Sequence, residues 1–353
     1  MKLSIISFTE NGILLSEKIA KLLCEAECAI YTKCRDYCKE GRTVRFVTRS
    51  VGEWAKEQLE ERNALLFIGA CGIAVRAIAP HITDKLHDSP VLVMDETGQY
   101  VIPLLSGHVG GANELAVSIA EKIGAKPVIT TATDINNQFA IDLFAKKNKL
   151  TIVNKDGIAK VSSKVLAGKC ITMSVEQGHL EKEIRLPKCI ELVEYPPLQK
   201  VDVVITSENS EFQTAIFLKP KEYVIGIGCR KGKETEKIHD FIMNHLQKAG
   251  ISLAQVFGMA SIDVKKDESG LLDFSRKEKI PFITYTAEEL WCVEGDFHKS
   301  EFVKEQVGVD NVCERAALKI CEPEGKLIYE KHAEDGMTIA IARREWRVNF
   351  DEE

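Results

Sequence analysis

Apolar positions along the first 140 residues alternate between two periods. Residues 2–8 (KLSIISF) form a short apolar run, and from Asn11 to Leu23 the apolar positions recur at helical spacing. CAIYT and TVRFVT read as short strands, and Val51 to Arg62 reads as a helix. ALLFIGA and VLVMD are buried strands, AVSIAEKIG is a helix ended by Gly124, and PVITTATD is a further strand. Strands that alternate with helices predict a mostly parallel sheet covered on both faces. Ligands of such sheets collect beyond the carboxyl ends of the strands, so the loops that leave the strands are where chemistry is expected.

The pattern then breaks and resumes. Residues 139–149 (FAIDLFAKKNK) predict a helix leading outward, and LTIVN starts a new element. Residues 150–218 combine a helix near Ile158–Leu166 with short strands and the Pro196-Pro197 pair. From Tyr223 the βα alternation returns with YVIGIG, a helix from about Thr235 to Ala249, VFGMASIDVK and PFITY. A helix near Ala287 follows a Thr286–Glu289 capping box, and KLIYEKHA and MTIAIARREW are the final strands. The expected fold class is therefore α/β and multi-domain. An N-terminal doubly wound, mostly parallel sheet occupies 1–149, a small middle α+β domain 150–218, and a C-terminal α/β domain 219–353.

Composition narrows the function classes. The 353 residues are 45% hydrophobic and 28% charged, which excludes a disordered chain. A formal net charge of −6, and aromatics with no stacking pattern, argue against a nucleic-acid partner. The longest apolar run, Ala64–Val75, stops at Arg76, well short of the ~20 residues a bilayer needs. The start, MKLSIISFTE, lacks a long apolar core and reads as a strand rather than a signal peptide. A soluble cytoplasmic protein is expected, and its eleven cysteines are then free thiols of a reducing cell. Cys24, Cys28, Cys34 and Cys38 have the spacing of two pairs, but Cys24 ends a helix and Cys28 begins a strand. The four do not naturally converge, so no metal site is expected. Cys313 has no histidine near it in sequence to activate it.

Three glycine-rich turns carry the candidate chemistry. The first, Gly69-Ala70-Cys71-Gly72-Ile73-Ala74-Val75-Arg76, follows ALLFI and leads into a helix. Its glycines admit close approach of an anion to backbone N–H groups, or make only a tight turn. It lacks the glycine pattern of a dinucleotide site, which disfavours an oxidoreductase. The second, Ser106-Gly107-His108-Val109-Gly110-Gly111-Ala112-Asn113-Glu114, sets a histidine among glycines. Histidine titrates near working pH, which suits general acid or base chemistry. Glu114 is either a proton donor or simply an acid favoured in a first helical turn. Asp95 ends VLVMD, while Thr131 and Asp134 lie at the end of PVITTATD. The third turn, Gly228-Cys229-Arg230-Lys231-Gly232-Lys233, departs from the Walker spacing, so it is an anion site or a solvated basic turn and not a triphosphatase loop.

Taken together, IGACGIAVRAIAP, DETGQYVIPLLSGHVGGANELA and PVITTATD resemble the cobalt-precorrin 5A hydrolase family of anaerobic cobalamin biosynthesis. The SGHxGGAN run is the most specific of these segments. GIGCRKGK, GMASIDVKKDE, PFITYTAEEL and VGVDNVCERAAL resemble the family's last domain, to which a small stand-alone protein of the aerobic pathway is similar. The resemblance covers nearly the whole length and is weakest over 150–218. Arg315 departs from it, standing where a small or acidic residue is expected before Ala316-Ala317.

The resemblance implies a cobalt-containing corrinoid substrate whose ring-A lactone is opened by water. A retro-aldol-like step then releases C20 with its methyl group as acetaldehyde. The cobalt belongs to the substrate, so no cofactor is implied. His108 is then the expected base, with Asp134, Asp95 or Glu114 exchanging protons and the backbone of Gly107–Gly111 stabilising an oxyanion. Gly72, Arg76, Ser106, Gly107, Gly110, Gly111, Asn113, Thr131, Arg230, Lys231 and Lys233 are the expected substrate-binding residues, the cations meeting carboxylate arms. The competing reading is a non-catalytic corrinoid carrier of the same pathway. Transient contact with neighbouring pathway enzymes and a homo-oligomer are both compatible with the sequence.

Overall fold

A computed structural model describes residues 2–35, 43–83, 88–131, 138–181, 183, 185–208 and 211–350, of residue 302 the backbone alone. It divides into two compact units, Met1–Leu143 and Phe144–Glu353.

The first unit opens with β1 (Lys2–Ser7), α1 (Glu10–Leu22), β2 (Glu27–Thr32), β3 (Val44–Phe46), α2 (Val51–Glu60), β4 (Ala64–Ile68) and α3 (Cys71–Ile78). It continues with β5 (Val91–Met94), β6 (Tyr100–Leu105), α4 (Ala112–Ile123) and β7 (Lys126–Pro127). The sheet order is β3-β2-β1-β4-β5-β6-β7. Alternate residues of β1 and β4 serve opposite faces. Leu3, Ile5 and Leu66 pack with Ile19 of α1 and Leu115 and Ile119 of α4. Ile6, Leu65 and Phe67 pack with Trp54 of α2 and Ala74 and Ile78 of α3. That two-sided burial is why these strands read as continuous apolar runs.

Strand direction corrects one expectation. β1, β2, β3, β4 and β5 are mutually parallel, but β6 runs antiparallel to β5, pairing Met94 with Val101 and Val91 with Leu105. The loop after β6 therefore lies at the amino edge of the parallel strands, while the loops after β1, β4 and β5 lie at the carboxyl edge. A four-residue strand, roughly 13 Å at ~3.3 Å per residue, separates them. Among the described residues of PVITTATD only Pro127 is strand, in the two-residue β7, which pairs with β6. Pro127 brings no N–H to a ladder, which suits it to an edge position.

α5 (Ile141–Lys147) carries the chain into the second unit. There β8 (Leu150–Ile152), α6 (Asp156–Leu166), β9 (Ile171–Val175), β10 (Ile190–Val193), β11 (Val201–Ile205) and β12 (Thr214–Pro220) build a sheet of order β10-β9-β11-β12-β8. Its strand pairs are parallel except β12 with β8. A third sheet, β15-β14-β13-β17-β16, follows. It comprises β13 (Tyr223–Cys229), α7 (Thr235–Lys248), β14 (Val256–Ile262), α8 (Ser269–Glu278), β15 (Phe282–Tyr285), α9 (Ala287–Trp291), α10 (Glu301–Val307), α11 (Cys313–Cys321), β16 (Lys326–Glu334) and β17 (Met337–Arg343). α7 and α8 cover one face through Phe241, Ile242, Leu271 and Phe274. Ala316 and Ala317 of α11 cover the other.

The last strand ends earlier than MTIAIARREW suggests, because the tail turns back onto the middle sheet. Trp346 stacks on His179 with ring centroids 3.8 Å apart, and Val348 bridges Leu180. Asn148 and Asn349 exchange hydrogen bonds of 2.9 and 2.7 Å. Arg315, the residue out of pattern, is a buried plug at the end of α9. Its guanidinium donates to Asp310 at 3.0 Å and to the Val293 carbonyl at 2.8 Å, and it lies 4.2 Å from the Phe297 ring centroid. A cation suits the carbonyls of a helix C-terminus.

Glu314 ties α11 to its surroundings and gives a pH test. Its fully buried carboxylate accepts from the His298 N–H (2.9 Å), the His298 ring (2.9 Å), the Lys331 N–H (2.7 Å) and Asn311. Burial pushes its pKa up, but these donors outweigh burial and hold it below the ordinary value. A carboxyl whose folded pKa is depressed contributes stability above its unfolded pKa, about 4.3, and loses it as pH falls through the folded value. Glu314→Gln is therefore expected to lower stability at neutral pH and to flatten its decline below about pH 4.3. Thermal unfolding across pH 3–7 checks this, and parallel profiles for variant and wild type would contradict it.

Candidate functional site

The loop after β6 is held open by its own backbone. Ser106 sits in the left-handed region at φ 57°, and its hydroxyl donates to the Asp88 carbonyl at 2.7 Å. A Cβ at Gly107 would lie 2.7 Å from Asn113 Oδ1, and one at Gly110 would lie 2.2 Å from Ser106 Cβ. Gly110 is thus required by close packing against the Ser106 backbone and Gly111 by its φ of 85°, whereas a Cβ at Gly107 would press only on the Asn113 side chain. The N–H groups of Ala112 and Asn113 return to the carbonyls of Ser106 and Gly107 at 3.0 and 2.9 Å. The Gly111 N–H is also engaged, donating to the His108 carbonyl at 3.0 Å. Among the described residues, the N–H groups of Gly107 and Gly110 have no partner. Asn113 Nδ2 donates to Thr131 Oγ1 at 3.1 Å, tying α4 to the strand-end segment beyond β7.

His108 points inward from this loop. Its Nδ1 lies 3.5 Å from Asp142 Oδ1, and the two side chains are 7% and 3% exposed. Such shielding from water strengthens the interaction of a carboxylate with an imidazole that takes up a proton. The carboxylate stands on the Nδ1 side of the ring, where it orients the imidazole and faces the charge that forms on protonation. Asp142 was not among the residues the sequence singled out. The available signal was an acid inside FAIDLFA, flanked by Ile141, Phe144 and Ala145, all of which are buried. An unpaired charge is costly at such a position, so an acid there implies a partner.

The other expected residues divide between places. Glu114 is exposed on the first turn of α4, at the same amino edge as His108. Gly72 and Arg76 lie on α3 at the carboxyl edge of the sheet. The Arg76 guanidinium folds back over the N-terminal turn, 3.3 Å from where a Gly72 Cβ would be, and has no ion-pair partner among the described residues. Asp95 is at that edge too. Its carboxylate accepts from the N–H groups of Thr97, Gln99 and Tyr100 at 3.0, 2.9 and 2.7 Å, and from the Thr97 hydroxyl. Burial pushes its pKa up, and those bonds bring it below the ordinary value, so the carboxylate closes the β5–β6 turn in its ionised form. Asp134 lies outside the described residues.

Arg230, Lys231 and Lys233 belong to the second unit, in the turn after β13. Lys231 is exposed. Lys233 Nζ donates to the Asp335 carbonyl at 2.6 Å and its carboxylate at 2.5 Å. Cys24, Cys28 and Cys34 are free thiols, and Cys38 lies outside the described residues. Burial pushes the Cys313 thiol up to about 12, which leaves it protonated. Among the described residues no group of three or more His, Cys, Asp or Glu could hold a metal ion. No helix there is long and apolar enough to cross a membrane.

Comparison with known proteins connects all three glycine-rich turns to one pathway. The family model "Cobalamin synthesis G N-terminal" matches residues 53–134, and "Cobalamin synthesis G C-terminus" matches residues 223–342. The chain is 32% identical over 349 residues to a cobalt-precorrin-5A hydrolase of Salmonella typhimurium strain LT2, covering 96% of this chain and 97% of that one. A cobalt-precorrin-5A hydrolase of Priestia megaterium is 27% identical over 357 residues, covering 96% and 94%. A solved structure of a cobalamin biosynthesis protein G homolog from Sulfolobus solfataricus is 22% identical, covering 98% of this chain and 97% of that one at a TM-score of 0.38.

Proposed function

The chain belongs to the cobalt-precorrin-5A hydrolase family, and from that premise we propose that it opens the ring-A lactone of cobalt-precorrin 5A and expels a two-carbon fragment as acetaldehyde. The observation that carries the chemistry is His108, set in a glycine loop with two unengaged N–H groups and buried against Asp142 of α5.

In the first step, water adds to the lactone carbonyl while His108 takes its proton. The N–H groups of Gly107 and Gly110 are the donors for the oxyanion that forms. Collapse breaks the ring C–O bond and leaves a carboxylic acid, which gives its proton to water. The imidazolium returns its proton to the departing oxygen, which becomes a hydroxyl on C20. In the second step His108 removes that hydroxyl proton. The bond from C20 to the ring breaks, its electron pair passes into the conjugated macrocycle, and C20 leaves as the carbonyl carbon of acetaldehyde. The proton taken by His108 then joins the macrocycle, and we assign its relay to Glu114, the exposed carboxyl on the same edge of the sheet. One water enters and one acetaldehyde leaves, giving cobalt-precorrin 5B. The substrate brings its own cobalt, and these steps call on no cofactor held by the protein.

Asp95 has no part in this scheme, since its carboxylate is taken by the hairpin and lies at the far edge of the sheet. Incubating the protein with cobalt-precorrin 5A, alcohol dehydrogenase and NADH tests the reading. NADH oxidation stoichiometric with substrate is expected. Oxidation no faster than without the protein overturns the reading in favour of a carrier.

A further inference from the structure

The second unit holds a pocket of about 560 Å³, within the ~300–1,000 Å³ of small-molecule sites. It lies beyond the carboxyl ends of β13 and β14 and is closed by α10, the start of α11 and the β16–β17 hairpin. Its place follows from topology. The chain steps from β13 to β14 to β15, then returns to lay β17 on the other side of β13. Strand order thus reverses at β13, which is where α/β sheets bind ligands.

Two features define what the pocket accepts. Ile262, Val264, Val303, Val307, Val312 and Met337 supply apolar wall, and Val264 is 63% exposed at the mouth. Against this wall stand three cations, Arg230, Lys265 and Lys331. Lys265 is offset by Glu268 at 3.5 Å, whereas Arg230 and Lys331 have no ion-pair partner among the described residues. Two acids also line the pocket. Asp335 is neutralised by Lys233, and Glu334 remains at the rim.

The backbone that carries the cations is held in place. Arg230 donates its N–H to the Gly336 carbonyl at 3.0 Å, and its Cδ lies 2.8 Å from where a Gly336 Cβ would be. The Gly232 N–H donates to Glu268 at 2.6 Å. The Lys331 N–H is fixed by Glu314 at 2.7 Å. The loop is thereby joined to the hairpin and to the start of α8, and the hairpin to α11, before any ligand arrives, which reduces the ordering cost of binding.

We propose that this pocket is a second, non-catalytic site that takes the carboxylated edge of a tetrapyrrole, one acid arm on Arg230 and Lys331 and the ring edge on the valines. A carboxylate leaves water readily only when paired, and an apolar ring edge gains from the exposed valine face. The identity of the ring rests on the corrinoid reading above. The preference for an apolar body bearing acids rests on the pocket alone.

The test uses the full-length chain and two corrinoids with the same ring. Cobyrinic acid carries free carboxylates, and cobinamide carries amides in their place. By calorimetric titration, cobyrinic acid is expected to bind at least tenfold more tightly than cobinamide. The Arg230→Ala/Lys331→Ala double variant is expected to lose at least tenfold of that affinity. Val264→Glu changes an exposed position, so the fold is retained, and it too should weaken binding by setting an acid at the mouth. Equal affinity for the two corrinoids overturns the proposal, as does unchanged affinity and stoichiometry in both variants. Absence of acetaldehyde release by the wild type counts against the hydrolase reading and leaves these titrations as they stand.

Discussion

Replacing His108 by alanine or asparagine is expected to slow acetaldehyde release by about 10²–10⁴-fold, the usual contribution of a positioned general base. Substrate affinity should change little, because the loop that frames the site is held by Ser106, Asn113 and Gly111 rather than by the imidazole. Asp142→Asn separates catalysis from scaffolding. An acid in the first turn of α5 is also favoured by the helix dipole, so loss of stability alone would not identify its role. If Asp142 positions and charges His108, the asparagine variant loses activity and the acid limb of its pH–rate profile moves to lower pH, because a nearby carboxylate favours the imidazolium. The double variant should then be no slower than the His108 variant alone, since Asp142 acts only through the ring. Wild-type turnover in the His108 variants would remove the residue from the mechanism. Independent, multiplying losses in the double variant would remove the link to Asp142.

Much of this protein was legible in its periodicity, and what was not has identifiable causes. Strands buried on both faces, such as ALLFI, announce a parallel sheet, and the Thr286–Glu289 capping box forms as read. The direction of β6 carries no comparable signal. YVIPLLS has the same apolar character either way, and only the short turn closed by Asp95 makes it a hairpin. That one reversal puts His108 and Arg76 at opposite edges of one sheet. The glycines of SGHVGGAN were evident, but each answers to a different constraint that only geometry separates. Asp142 escaped notice because its partner is 34 positions away, and a helix-start acid is unremarkable in sequence. Lys331 likewise lies in an exposed hairpin strand whose alternation says nothing of a pocket.

A single methyl group at Gly226 is expected to be the most damaging small change in the second unit. Gly226 is in the middle of β13, between Ala260 and Ala340 on the neighbouring strands, and faces Ala317 of α11. This row of small residues lets the helix rest directly on the strand. A Cβ there would sit 1.7 Å from the Cys313 carbonyl oxygen and 2.7 Å from its carbon. Those are backbone atoms, so no rotamer change relieves the overlap, and α11 has to move away. That displacement pulls Glu314 from its donors and shifts Arg315 from the end of α9, and both groups are costly to leave buried without partners. Overpacking of a core usually costs 1–3 kcal/mol, and with a backbone clash the loss should reach about 3 kcal/mol or more. Trp291 and Trp346 belong to the second unit and Trp54 to the first, so tryptophan fluorescence in urea follows mainly the unit concerned. Gly168→Ala is the control. It introduces strain at a φ of 71° with nothing within 4 Å, and should cost only about 1 kcal/mol. A Gly226→Ala midpoint as close to wild type as that control would show that α11 does not rest on the strand as tightly as its geometry indicates.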